Sequence, residues 1–208
     1  MFVSSLRLAL ASLLAVTPVF AHEMFCAGGL RAGAPVDSAA YRKYAPDRFV
    51  DVLHMVIDVT PDFRARSVAG RVTLRFKPIV DRLAELRLDA HDLRVASVSG
   101  SVPVAHFSNT GTELILTFEK PLPRDGEQEV TIVYEAFPEK GLYFRTREMG
   151  YLPEDEHLFT QGEDIEARHW FPCYDSPNDK FSNEMICHVP ADMTVLSNGR
   201  LVAERTED

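Results

Sequence analysis

The chain has 208 residues with a formal net charge of −9 and a pI near 5.3, so neither nucleic acid nor an anionic membrane surface is expected as its main partner. Its content of 46% hydrophobic and 25% charged residues is that of an ordinary globular protein, enough for one core and short for two full domains. The expected class is all-β, and the elements follow in chain order.

Residues 1–21 carry Arg7 as their one charge, a short apolar run Leu8–Val16, and small residues around Val19-Phe20-Ala21. That pattern predicts a secretory signal peptide cleaved near Ala21 and an exported, periplasmic or extracellular protein. The apolar run is too short to span a hydrocarbon core of about 30 Å, so no stable membrane anchor is expected. Residues 22–46 are rich in Ala, Gly and Pro without a sustained period and read as a leader or strap.

From Phe49 onward strand follows strand. Phe49–Thr60 is apolar on both alternations, with Phe49, Leu53, Met55, Ile57 and Val59 against Val50, Val52 and Val56, which predicts a strand buried on both faces. Arg71–Lys77 alternates, placing Val72, Leu74 and Phe76 inward. Ala84, Leu86 and Leu88 repeat the period, as do Leu114, Leu116 and Phe118, and then Val130, Ile132 and Tyr134. Ser99-Gly100, Asn109-Thr110-Gly111 and Pro121–Gly126 have turn composition. Met185–Val189 and Thr194–Leu196 are expected as two further short strands, followed by the turn signal Ser197-Asn198-Gly199. No segment holds a helical period over three turns. The pattern predicts an antiparallel sandwich or open barrel.

Three cysteines, Cys26, Cys173 and Cys187, lack a C-x-x-C spacing, so thiolate-bound zinc is not expected. Cys173 and Cys187 are the pair near enough in sequence to form a disulfide, against the alternative of two small buried hydrophobes. Among the seven histidines no two are spaced to share a metal on a helix, and the chain has neither a glycine-rich phosphate loop nor a nucleophile elbow. No catalytic residue and no metal ligand is assigned within the chain.

Residues Phe159–Pro177 mix carboxylates, an amide, an arginine, aromatics and prolines in a way no secondary-structure period explains, so they read as a shaped loop. Glu163, Asp164 and Glu166 lie near Gln161. A carboxylate with a neighbouring amide oxygen suits a compact cation such as a peptide amino terminus. Thr160-Gln161-Gly162-Glu163 equally fits a capping box at the start of a helical turn, and spacing alone favours that cap.

Thr160-Gln161-Gly162-Glu163, Ala167-Arg168, Phe171-Pro172-Cys173 and Asp175-Ser176-Pro177, in this order, resemble the T-Q-x-E…A-R…F-P-C-x-D-x-P signature of the N-terminal domain of M1 zinc aminopeptidases. Val189-Pro190 and Thr194–Gly199 continue the likeness, and Val68–Leu74 with Gly141-Leu142-Tyr143 extend it upstream, so that it covers 47–208. The resemblance implies a saddle-shaped β domain packed on a catalytic domain. It implies that Glu163 holds the free α-amine of a peptide and that Gln161 lines the first side-chain pocket, with Phe159 and Tyr143 as further wall. Arg168 and Asp175 are expected to hold the loop in shape.

The family's G-x-M-E-N and H-E-x-x-H segments have no counterpart here. The chain is therefore expected to be the N-terminal region of an exported aminopeptidase, ending before its last β-strands and catalytic domain, inactive alone, with zinc bound elsewhere in the parent enzyme. A stand-alone non-catalytic binding or scaffolding module is the alternative. A ligand-binding secreted sandwich has little support, since there is a single tryptophan and no repeated aromatic stripe.

Overall fold

The computed structural model describes residues 46–206; the expected signal peptide, most of the leader and Cys26 lie outside them. Ten strands account for the regular structure, with three 3-10 turns and no α-helix among the described residues. They are β1 (Val50–Asp62), β2 (Ser67–Pro78), β3 (Leu83–Asp89), β4 (Arg94–Gly100), β5 (Val104–Asn109), β6 (Glu113–Leu122), β7 (Gln128–Ala136), β8 (Leu142–Arg145), β9 (His157–Thr160) and β10 (Ser182–Cys187). They form a five-stranded sheet in the order β10-β1-β2-β7-β4, a three-stranded sheet β3-β6-β5, and a ribbon β8-β9. The all-β, open-sheet class expected from the period-2 pattern is the one observed.

One pairing departs from the antiparallel expectation. β10 lies parallel to β1, from His54 opposite Ser182 to Val59 opposite Cys187. Parallel neighbours need a long crossover, and here nearly the whole domain separates the two strands.

The five- and three-stranded sheets share one hydrophobic core. Met55, Val72, Leu74, Phe76, Leu114, Leu116, Val130 and Ile132 are fully buried in it. Each such side chain contributes about 1.5–3 kcal/mol relative to exposure.

Bulges correct two expectations. The β1–β2 register shifts between Val52 and His54. The extra residue reverses the alternation, so Val50 and Val52 face the same core as Met55, Ile57 and Val59. β1 is thus buried on one face, and Phe49 is exposed. A shift between Leu83 and Glu85 likewise turns Ala84 outward while Leu83, Leu86 and Leu88 stay inside.

Ser99-Gly100 closes β4, with the bend one residue later. β4 and β5 carry too few apolar residues to announce themselves. Thr194–Leu196 forms no strand: it is extended chain with Leu196 exposed. The bend at Ser197–Gly199 is present, with Gly199 at a φ of 97°. β10 and β4 are the outer strands of their sheet, and Ile186 on β10 is exposed.

In mid-sheet, Gly70 of β2 lies opposite Tyr134 of β7. A Cβ at Gly70 would fall 2.4 Å from the tyrosine ring, so the missing side chain makes room for the aromatic.

Candidate functional site

The β8–β9 ribbon sets up the loop. Leu142 pairs with Thr160, Tyr143 with Phe159, Phe144 with Leu158 and Arg145 with His157. Alternation sends Leu142 and Phe144 into the core, where Phe63 meets Phe144 edge-on at 5.6 Å. The opposite face carries Tyr143 stacked on Phe159 at 5.2 Å, with the Arg145 guanidinium 5.1 Å from the Phe159 ring centre. The Gln161 amide donates to the Gly141 carbonyl (2.9 Å), extending the ladder one residue beyond β9. By the same alternation Gln161 follows Phe159 on the aromatic face.

The chain then turns. The Glu166 amide donates to the Gly162 carbonyl (3.0 Å), and the Glu163–Asp164 peptide is cis. Gln161, Glu163 and Asp164 are exposed. The Glu163 carboxylate makes no hydrogen bond or ion pair among the described residues. The capping box expected from Thr160 and Glu163 is therefore absent: the 3-10 turn Ala167–His169 starts at Glu166, without a side-chain cap. A single 3-10 turn offers fewer unpaired amides than an α-helix, and Glu163 precedes it by too much to reach them.

The remainder of the loop is bolted to the end of β3. Asp89 and Cys173 exchange both backbone hydrogen bonds, at 2.7 and 3.0 Å. The Arg168 guanidinium bridges two carboxylates, with Nε 3.0 Å from Asp175 Oδ2 and Nη1 3.0 Å from Asp89 Oδ1. Asp175 Oδ2 also accepts from the Arg168 amide, and the Asp175 amide donates to Asp89 Oδ2. Burial pushes the Asp175 carboxyl above its ordinary value, partly offset by the Arg168 bonds. Trp170 and Phe171 are buried edge-to-face at 4.4 Å. Arg168 and Asp175 thus have the shape-holding contacts expected of them. Sequence reading missed Asp89, because nothing in its surroundings ties it to a loop some eighty residues away.

Gly141 is the tightest point. Its φ is +73°, and a Cβ there would fall 1.9 Å from the Glu166 carbonyl oxygen. Only glycine permits both the conformation and the approach of the loop.

Cys173 and Cys187 are free thiols, each pushed above its ordinary pKa mainly by burial, which keeps them protonated. Among the described residues no group of three or more His, Cys, Asp and Glu side chains could hold a metal ion, so the described chain does not fit zinc. A cleft of about 360 Å³ beside Arg66, Tyr143 and Arg145 adjoins the ribbon, and another of about 340 Å³ lies beside Asp58, Gly70 and His188. Gln161 and Glu163 line neither and stand on open surface.

The sequence profile of the peptidase M1 N-terminal domain matches residues 43–208. The chain belongs to this family. It is 28% identical over 170 residues to a leukotriene A-4 hydrolase of Xenopus laevis, covering 78% of this chain and 28% of the relative. With human aminopeptidase B it shares 24% identity over 191 residues, covering 80% and 29%. It thus spans less than a third of the length of these relatives. Among solved structures, a mutant M1 zinc metallopeptidase from Deinococcus radiodurans bound to a Tyr-Ser-Ala substrate superposes with a TM-score of 0.64 at 20% identity, over 77% of this chain and 37% of that one. At that identity the likeness concerns the fold, and it is the fold of an M1 N-terminal domain.

Proposed function

We propose that the chain is the substrate-anchoring domain of an exported zinc aminopeptidase of the M1 family. Glu163 grips the protonated α-amine of a peptide, and Gln161 borders the pocket for the first side chain. The observation that carries this reading is a carboxylate without any internal partner on a loop otherwise fixed by its own contacts. Glu163 is exposed and unpaired, whereas Arg168, Asp175, Trp170 and Phe171 around it are engaged. An ammonium ion docked there gains a charge-assisted bond whose strength rises once a catalytic domain covers the site and excludes water.

Holding the amine fixes the register of the peptide, so that the bond one residue along meets the catalytic machinery. That machinery, including zinc, is assigned to a catalytic domain of the parent enzyme, since this chain has no H-E-x-x-H segment. There a bound zinc ion would lower the pKa of a water molecule for attack on the peptide bond. By this reading the 208 residues alone do not cleave peptides.

The test is Glu163→Gln in the gene product that includes the catalytic domain. Loss of a desolvated charged contact costs about 2 kcal/mol or more, roughly a thirtyfold fall in kcat/KM for peptides with free amino termini. Zinc content stays unchanged. An unaltered kcat/KM would refute the assignment. Export is tested separately: expression in a bacterial host followed by fractionation and N-terminal sequencing yields a periplasmic chain starting at His22, and an uncleaved chain confined to the cytoplasm overturns it.

A further inference from the structure

Beneath the loop, two imidazoles face each other. The rings of His91 and His169 lie 4.6 Å apart between centroids, tilted by 43°. His169 belongs to the 3-10 turn of the loop, and His91 to the connection between β3 and β4. The His91 side is rigid. Its own amide donates to the Arg168 carbonyl, and its neighbours Ala90 and Asp92 donate to Thr112 and Gly111 of the β5–β6 turn.

Charged groups surround the pair on every side. On the loop, Glu166 Oε2 is buried and accepts no hydrogen bond, and His169 Nε2 stands 3.4 Å from it. Glu166 Oε1 lies 3.6 Å from Lys140 Nζ on the β7–β8 connection. Asp92 Oδ2 is 3.1 Å from His91 Nδ1. Arg168 adjoins His169 and is itself taken up by Asp89 and Asp175. Glu166 is therefore the carboxylate that faces His169, and Lys140 already shares it.

We propose that His91 and His169 are positioning residues for Glu163: they hold the loop against the end of β3 while at most one ring is charged, and release it when both are. With one ring neutral the pair packs, and Glu166 faces His169 without net repulsion. With both charged, two cations face each other 4.6 Å apart, and the carboxylates near them are already shared: Glu166 with Lys140, and Asp89 and Asp175 with Arg168, which leaves Asp92 beside His91. Because Ala90 and Asp92, on either side of His91, are tied at their backbones to the β5–β6 turn, the part that yields is the loop, which parts at the His91–Arg168 bond and takes Gln161 and Glu163 with it. Burial, followed by the charge of His91, holds the His169 imidazole below its ordinary value, which agrees with a doubly charged state that the folded chain resists.

The proposal rests on the amine-anchoring reading only for its consequence for peptide binding; the latch itself is measured without peptide. The experiment is an NMR titration of the full chain from neutral to mildly acidic pH. It follows the histidine ring protons and the exchange protection of the amides of Gln161, Glu166 and Trp170, each hydrogen-bonded in the loop, with Val130 and Ile132 as controls for the core. In the wild type, loop protection falls with acidification while core protection holds. In His91→Phe, which keeps a ring but removes its charge, the His169 titration moves up by about half a pH unit or more, near the lower limit set by two unit charges at this separation in water. Loop protection in that variant then persists at acid pH. His91→Gln provides a second neutral variant of smaller volume, with the same outcome expected.

The proposal is overturned if His169 titrates at the same pH in wild type and either folded variant. It is also overturned if the loop amides follow the core amides throughout. Neither result touches the Glu163→Gln test of amine recognition, so the two readings fail separately.

Discussion

Replacing Arg168 by Met keeps an unbranched apolar stem and removes both of the charged contacts. Arg168 and Asp89 are roughly a quarter exposed, whereas the Asp175 side chain is 8% exposed, so the Asp175 contact is the less screened of the two. Hydrogen bonds to charged groups contribute about 1.5–3 kcal/mol when buried, and partial exposure brings each toward the lower end. The variant also leaves Asp175 and Asp89 adjacent with no cation between them. The expected loss is about 2–3 kcal/mol at pH 7, a large share of the 5–15 kcal/mol typical of a domain.

The pH dependence sharpens the test. Burial already raises Asp175, and Arg168 opposes that rise, so its removal lets the carboxyl climb further. A carboxyl raised in the folded state binds more protons than in the unfolded chain. It therefore favours folding at acid pH and costs stability as pH rises through the interval above its ordinary value. The defect of Arg168→Met is accordingly smaller at about pH 4.5 than at pH 7. Urea denaturation reads it directly through Trp170, the chain's single tryptophan, which is buried in this loop. A loss below about 0.5 kcal/mol at pH 7, or an equal loss at both pH values, would refute the reasoning.

Four further outcomes are expected. Glu163→Gln changes the stability of the chain by less than about 0.5 kcal/mol in urea denaturation, since the side chain is exposed and caps nothing; a loss above about 1 kcal/mol would restore the cap. Gly141→Ala places a Cβ 1.9 Å from a carbonyl oxygen at positive φ, and destabilises by roughly 3 kcal/mol or more, with altered Trp170 emission. Gly70→Ala forces the Tyr134 ring to move and costs about 1–3 kcal/mol by thermal or urea unfolding, with little change at Trp170. In a background with Cys26→Ser and Cys187→Ser, Cys173 reacts with iodoacetamide only on unfolding, since it is buried and its thiol is held protonated; rapid labelling of the native chain would contradict the burial.

Most of the core was legible because each strand with one apolar face writes a period of two into the sequence, as Val72-Leu74-Phe76 and Leu114-Leu116-Phe118 do. The misreadings cluster where that period breaks. At Val52–His54 and Leu83–Glu85 a bulge adds one residue to one strand, and the pattern alone does not say which residue is extra. β10 was legible as a strand but not as a parallel one, because direction depends on the path of the chain rather than on residue type. The loop was read from its motifs, which gave Arg168 and Asp175 their structural place. Asp89 and His91 were invisible because they meet the loop through pairings of long sequence separation, which no local pattern encodes.

The capping box is the instructive failure. Had Thr160 and Glu163 capped a helical turn, the carboxylate would be spent on backbone amides and poorly suited to a second cation. Glu163 instead stands outside the turn, and the tasks a loop needs done are carried by other residues: Gly141 admits the close approach, Arg168 neutralises two half-buried carboxylates, and Trp170, Phe171 and Cys173 fill the space beneath. The ladder bond from Gln161 to Gly141 fixes the segment on one side, and the Asp89–Cys173 bridge fixes it on the other. An exposed charge on a segment tethered at both ends loses little further freedom on meeting an ammonium ion, and that is the condition under which a single ion pair contributes useful binding energy. The composition that resisted any secondary-structure period is thus partly accounted for: Arg168, Asp175, Trp170, Phe171 and Cys173 secure the loop, whereas Glu163 and Asp164 are exposed and secure nothing, and Glu163 is the one for which we propose a ligand.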